Sequence, residues 1–462
     1  MGGRASRNEG LDAVNAVSPE PALSRRLIRA AFALEYDQLA PAVIAKVKTG
    51  LLDMLSCAFE ARTLPWAQQA IRMATKGATG PAAIVGTSYC TPAPEAAFAT
   101  ATLGHGLVRE DMHTAAVSHL GVVIYPTLLA LAQAEGRGNG RDFLVAAVCG
   151  YETGAAIGRA LMDQDMVRLF RPTAITGPLA GVIAGSRLLG LDEQSAVSAL
   201  GLAANTTAGL NEWPYSGGDE MFFHAGFAAR NAVTAVQLAT LGARASETAL
   251  DGPSGLFASF GKSDRIAAVA PFSRPALEIS EVYYKPAPAC NYAQTACQAA
   301  VAIAGRISNL AEVSAITVKA SAAALRYPGC DYAGPFDRVL QAKMSIQYCV
   351  AATLVCGTIE EANYHLLAHP EIVRLAGITK LETDSRFTAA YPGTQGAEVV
   401  VQLSDGQALR EHRNDVVPAT PAEVRARFRA AAGSAASMIE DRVEALELQD
   451  DLAELCSLMG SA

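Results

Sequence analysis

Residues 107–121, LVREDMHTAAVSHLG, gather Arg109, Glu110, Asp111, His113 and His119 in one short stretch, with His105 just upstream. The chain is otherwise sparing of such groups: 18% of it is Asp, Glu, Lys or Arg, and it has seven histidines in 462 residues. Imidazoles and carboxylates this close shift one another's pKa and share protons near neutral pH. That is the raw material of general acid–base catalysis. The competing reading is a solvated loop with incidental histidines.

Three further stretches carry candidate chemistry. FRPTAITGP (170–178) places Arg171 before a proline at a helix start, with Thr173 following. Free helix N–H groups beside a guanidinium suit a carboxylate; the alternative is a surface arginine at an ordinary helix start. VYYKPAPACNYAQ (282–294) sets Lys285 beside Tyr284 in a proline-rich turn and puts Cys290 at a helix start. A lysine in apolar company acts as a base or binds a carboxylate, and a cysteine at a helix N-terminus tends towards thiolate. A packed turn with a snorkelling lysine is the alternative. DEMFFHAGFAARNA (219–232) carries His224 on an apolar helix, where a satisfied core histidine is the simpler reading.

Other patterns fail on spacing. GLFASFGKS (255–263) has five residues between its glycines, where a P-loop needs four. GRGNG (136–140) is not a dinucleotide fingerprint. No His-Glu-x-x-His or Cys/His metal spacing occurs, and His113 and His119 fall on different helix faces. No nucleotide, nicotinamide or metal cofactor is expected.

The elements that must position these residues fall into three parts. From about Pro21 to Phe260 apolar residues recur at three- and four-residue spacing, as in PAVIAKVKTGLLDMLSCAFEA and GPLAGVIAGSRLLG. Pro41, Pro126 and Pro172 mark helix starts, and 107–121 reads as a loop between helices. Near 270 the pattern changes. VSAITVKAS (313–321) and AEVVVQLSDGQAL (397–409) alternate like strands, with a turn at SDG; 290–305 and 343–357 are helical. After Pro418 the chain returns to helix. The reading is mainly α: a large all-helical domain built from both chain ends (21–268 and 418–462) plus a smaller α+β lid domain (269–412).

Composition limits the partners. Hydrophobic residues make up 51%, enough for a large core, and the net charge of −8 argues against nucleic acid and anionic membrane. Nine scattered cysteines without a Cys-x-x-Cys pair read as reduced thiols in a cytoplasmic protein. No apolar run suits a membrane span. The polar first twenty residues do not read as a secretory signal. Their Met-Gly-x-x-x-Ser start matches a myristoylation pattern, but a polar terminus is the preferred reading.

Taken together, the loop ending in His119, RPTAITGPLAGVIAGSRLLGL, HAGFAARNAV, YYKPAPAC and QAKMSIQY resemble the MmgE/PrpD family, over about residues 25–430. That family includes 2-methylcitrate dehydratase, cis-aconitate decarboxylase and iminodisuccinate epimerase. The resemblance implies a helical domain, an α+β lid, a site between them, a homodimer, no cofactor and a small polycarboxylate substrate. The family loop reads His-Ala-Leu-Asp-Phe-Asp-Asp before a later histidine. Here His105 and His119 match the histidines, Glu110 and Asp111 fall near the later acids, and Val108 replaces the first aspartate. Arg171 stands for a family histidine, Met221 for a lysine, and Cys290 for a histidine five residues after the lid lysine that Lys285 matches. Tyr332 in GCDYAGPF is the nearest match to a lid tyrosine.

These departures suggest altered chemistry on a kept scaffold, and iminodisuccinate epimerase agrees best with them. Epimerisation beside a carboxylate needs a base on one face, an acid on the other and cations for the building charge. His119 or His113 is the expected carrier on one side; Lys285, Cys290 or Tyr284 serves on the lid side. Asp111 orients a histidine, while Arg171, Thr173, His224 and Tyr332 bind substrate. A hydroxy-polycarboxylate dehydratase and a non-catalytic small-anion binder are the alternatives.

Overall fold

The computed structural model describes residues 20–460; the Met-Gly-x-x-x-Ser start lies outside them. The protein is mainly α. The long helices are rich in apolar and small residues, and proline or glycine rather than a capping side chain marks most of their starts. α1 (Pro41–Ala61) and α2 (Ala93–His105) carry proline in their first turn. α3 (Gly121–Glu135) and α4 (Gly140–Leu161) follow, and Asn139 caps α4 by accepting from the Asp142 N–H at 2.9 Å. α5 (Pro172–Leu188) and α6 (Met221–Thr240) complete the central packing.

α5 packs on α4 and α6, and α6 also packs on α2. Close approach explains the glycines. A Cβ on Gly154 would stand 2.8 Å from the Ala180 Cβ, so α4 and α5 sit nearer than larger side chains would allow. Pro126 lies inside α3, not at its start. α3 begins five residues earlier, where the Gly121 N–H donates to Asp111 Oδ1 at 3.3 Å.

The histidine stretch is a loop with one two-residue strand, β1 (Met112–His113). β1 pairs antiparallel with β2 (Val282–Tyr283), with Met112 opposite Tyr283 and His113 opposite Val282. The second part holds α7 (Gln294–Ala304) and α8 (Ile346–Cys356), which pack on each other. It also holds a four-stranded sheet of β3 (Val313–Ala320), β4 (Thr379–Thr383), β5 (Ala397–Leu403) and β6 (Ala408–Arg413). The strand order is β4–β3–β5–β6; β4 runs parallel to β3 and the other pairs are antiparallel. α7 covers β5 and β6.

The expected strands and hairpin are present, and the parallel edge strand β4 is an addition. The expected helix over 343–357 is broken at Ser345, whose hydroxyl caps α8 by accepting from the Tyr348 N–H at 2.9 Å. After Pro418, α9 (Pro421–Ala432) packs back on α1. Among the described residues no helix is long and apolar enough to cross a membrane.

Candidate functional site

The loop between α2 and α3 is buried, and so are its charges. His105, Glu110, Asp111, His113 and His119 are each at most 2% exposed. Glu110 is the bridge. Its Oε1 accepts a short hydrogen bond from His105 Nδ1 and lies 3.2 Å from His119 Nδ1. The rings stand edge to face with centroids 5.5 Å apart. Burial raises a carboxyl pKa, but the two histidines and Lys285 outweigh it and hold Glu110 well below the usual range.

His119 is fixed in one tautomer. Its Nδ1–H donates to the Asp111 carbonyl at 2.8 Å, and its backbone N–H donates to Thr173 Oγ1 at 3.0 Å. Nε2 therefore keeps its lone pair. Burial, Lys285 and Arg171 lower the His119 pKa well below its usual value, so the ring is neutral. His105 is arranged alike: Nδ1 faces Glu110, and Nε2 accepts from Arg171 Nη2 at 3.4 Å.

Two cations meet these rings. Arg171 is the N-cap residue of α5 and is 4% exposed. Its Nη1 donates to the Tyr327 hydroxyl at 3.1 Å, and its Nε has no partner among the described residues. Lys285 follows β2 and is fully buried, and its ammonium donates to the Val108 carbonyl. Val108 is held at φ +56°, a strained conformation for a β-branched residue that costs about 1–3 kcal/mol. Burial lowers Lys285 to a pKa of about 8 against the pull of Glu110. Cys290 Sγ lies 3.4 Å from Cys330 Sγ. Burial raises the Cys290 pKa, but the Cys330 thiol, the Tyr292 N–H, Lys285 and Arg171 bring it below the ordinary thiol value.

His224 faces the same region. It is 7% exposed, its Nδ1 has no partner among the described residues, and burial with Arg171 and His105 lowers its pKa to about 3. The satisfied core histidine expected at this position is thus an unpartnered one.

Several sequence candidates point elsewhere. His113 donates from Nε2 to Glu278 at 2.8 Å, in a separate ionic group with Arg159 and Arg274, because the β1–β2 pairing turns its side chain away. Tyr284 donates to the Lys46 carbonyl, under the loop. Tyr332 donates to the Pro335 carbonyl at a partly open surface. The tyrosine that reaches Arg171 is Tyr327, five residues earlier. The Asp111 side chain accepts from the Tyr151 hydroxyl and the Gly121 N–H, so Asp111 orients His119 through its backbone carbonyl. Burial raises the Asp111 carboxyl to a pKa of about 7.

Residues not singled out by type complete the picture. Lys343, from QAKMSIQY, is fully buried and donates to the carbonyls of Leu107 (3.1 Å) and Pro288 (3.3 Å) and to Glu361. It ties the histidine loop to the second part of the chain. A cleft of about 270 Å³ opens between the two parts, walled by Val117, Met162, Tyr292, Tyr327 and Tyr391. Tyr327 separates it from Arg171. Among the described residues no group of His, Cys, Asp and Glu is placed to hold a metal ion.

Fold and site together define a mainly helical protein in which histidines, a glutamate, a lysine and an arginine are buried in one cluster near a cleft between the two parts of the chain. The chain belongs to the MmgE/PrpD family: the MmgE/PrpD N-terminal domain matches residues 25–268 and the C-terminal domain residues 287–451. Relatives include a cis-aconitate decarboxylase-like protein of Aspergillus oryzae, 27% identical over 96% of this chain and 98% of that one. A cis-aconitate decarboxylase of Aspergillus terreus is 24% identical over 92% and 93%. One from Homo sapiens is 26% identical over 80% and 79%. The family is thus one of enzymes.

Proposed function

We propose that this protein is an enzyme that removes a proton from a carbon beside a carboxylate of a small polycarboxylate. His119 Nε2 is the base, and Arg171 and Lys285 hold the carboxylate as charge builds on it. The observation that carries this reading is the fixed tautomer of His119: Nδ1–H is committed to the Asp111 carbonyl, leaving a neutral base at Nε2 among two cations. Glu110 stabilises the imidazolium that forms.

Epimerisation is the finer reading, with an amino-polycarboxylate such as iminodisuccinate as substrate. In this reading Lys285 or Cys290, whose pKa values are both lowered, is the second carrier that a return of the proton to the opposite face requires. These residues supply base, acid and cations themselves, so the reading invokes no cofactor. A lyase is the second reading, favoured by the names of the relatives; a dehydration begins with the same abstraction and ends in loss of water, whereas a decarboxylation breaks a C–C bond to release carbon dioxide and draws on the same cluster as a proton donor to carbon.

Proton NMR in D2O tests both. Cα–H exchange with interconversion of iminodisuccinate stereoisomers and no alkene supports the epimerase. Alkene from citrate or 2-methylcitrate, or decarboxylation of cis-aconitate, supports the lyase. No exchange with any of these acids, in protein shown to be folded, refutes the shared step. The homodimer and cytoplasmic location suggested by sequence belong to the same proposal, and light scattering in solution tests the first.

A further inference from the structure

Two thiols meet at the wall of the site. Cys290 Sγ and Cys330 Sγ are 3.4 Å apart, and both residues are buried. Cys290 opens the turn that leads into α7. The Cys330 N–H donates to the Tyr327 carbonyl, so Cys330 closes the turn whose tyrosine receives Arg171. Lys285 and Arg171 favour a thiolate at Cys290, while burial holds Cys330 as the thiol. The remaining cysteines make no comparable approach to Cys290: Cys90 and Cys356 are exposed, and Cys349 donates to the Ala342 carbonyl.

We propose that Cys290 and Cys330 are a peroxide-sensitive dithiol whose oxidation to a disulfide alters the wall of the site. The Cys290 thiolate attacks a peroxide oxygen and the O–O bond breaks. Sulfur loses two electrons and becomes sulfenic acid, and the departing oxygen takes a proton and leaves as water or an alcohol. Cys330 then attacks Cys290 Sγ; the S–O bond breaks and hydroxide leaves with the Cys330 proton as water. With hydrogen peroxide the sum is two thiols and one peroxide giving one disulfide and two waters.

The sulfurs must close from 3.4 Å to about 2.05 Å. Cys330 closes the turn that carries Tyr327, so the disulfide bears on the contact between the Tyr327 hydroxyl and Arg171. Tyr292 and Tyr327, two and three residues from the cysteines in the chain, wall the cleft between the two parts. A thiol reductant restores the site. The inference rests on the sulfur geometry and not on the reaction proposed above.

The test titrates the whole purified protein with hydrogen peroxide, blocks free thiols after denaturation and maps peptides by mass spectrometry. The expected result is a Cys290–Cys330 linked peptide that forms before Cys90 and Cys356 are oxidised and disappears with dithiothreitol. In Cys330→Ser and Cys330→Ala, each checked for folding by thermal melting, the link is lost and Cys290 advances to sulfinic acid that dithiothreitol does not reverse. Cys290 still free when Cys90 is oxidised, or linked to another cysteine, overturns the proposal. Unchanged exchange activity in fully linked protein overturns the effect on the site while leaving the dithiol. Because the peptide map needs no substrate, its failure is distinct from failure of the proposed reaction.

Discussion

Replacing Glu110 with glutamine removes one charge and almost no volume from between two histidines. Glu110 lies 3.2 Å from His119 Nδ1. At that separation full charges attract by about 5 kcal/mol at an effective dielectric of about 20. Only part of the imidazolium charge exists when the proton is half transferred, so about 2.5 kcal/mol bears on the barrier. That is about a 70-fold fall in turnover. Removing the carboxylate also lowers the His119 pKa further, since Glu110 raises it in the native protein. The assay is the rate of Cα–H exchange in D2O with whichever acid the protein turns over, beside circular dichroism to show that the variant is folded. Glu110→Asp keeps the charge and is expected to recover part of the loss. A folded Glu110→Gln whose turnover lies within about threefold of the parent, under about 0.7 kcal/mol, would falsify the assignment of Glu110 and His119.

Other predictions follow from the same geometry. Arg171→Met is expected to raise KM by about 10–100-fold, the worth of one charge-assisted contact of about 1.5–3 kcal/mol, with kcat less affected if Arg171 chiefly binds; steady-state kinetics separate the two. Lys285 titrates near 8, so if its cation holds the carboxylate, activity falls as pH rises above about 8, and a pH–rate profile flat to pH 9.5 (roughly a unit and a half beyond the titration) argues against that role. Asp53 is fully buried, neither of its oxygens has a partner among the described residues, and burial raises its pKa to about 8. Between about pH 4 and 8 its folded form therefore holds more protons than the unfolded chain, and stability falls as pH rises. Asp53→Asn removes that slope and gains a few kcal/mol, order of magnitude ~3, at pH 8; parallel urea-melting data for variant and parent at pH 5 and pH 8 would count against it. A Cβ on Gly121 would stand 2.7 Å from Asp111 Oδ2 and closer still to the Tyr151 hydroxyl. Gly121→Ala is thus expected to cost about 1–3 kcal/mol in thermal or urea unfolding and to disturb His119.

The helices were legible because they repeat: three- and four-residue apolar spacing over 41–61 or 172–188 leaves little else to read. β5 and β6 were legible through alternation and the SDG turn. β4, five residues of mixed polarity at a sheet edge, carries too little pattern to separate from a loop. Within the site, clustering of residue types pointed to the loop that the structure buries, but not to which of its side chains meet. His113 and His119 look equivalent in sequence. What divides them is the pairing of Met112 with Tyr283, a contact across the two parts of the chain that no local pattern encodes. Glu110 was visible but had no assigned role, since a bridge between two rings exists only once the loop is folded. Tyr327 and Tyr332 share one short segment, and only the turn closed by Cys330 decides which reaches Arg171. The Arg171 position, marked by a proline at a helix start, was the most readable member because its signal is local.

The two-residue ladder between β1 and β2 also says how this architecture can be taken apart. Residues 269–286 lie between the two stretches matched by the family domains, and Lys285 sits at the end of that interval. Its ammonium touches Val108 and the strand just before it pairs with Met112, so it travels with the histidine loop and not with the sheet behind it. In a chimera that exchanges second domains, a junction at 287 would leave the lysine with its native histidines, whereas one at 269 would import a foreign lysine onto them. Cys290, Cys330 and Tyr327 would arrive with the new domain in both cases. The seam of the buried charge cluster thus falls past the end of the stretch matched by the N-terminal family domain, and the wall could be changed while His119 and Lys285 stay together.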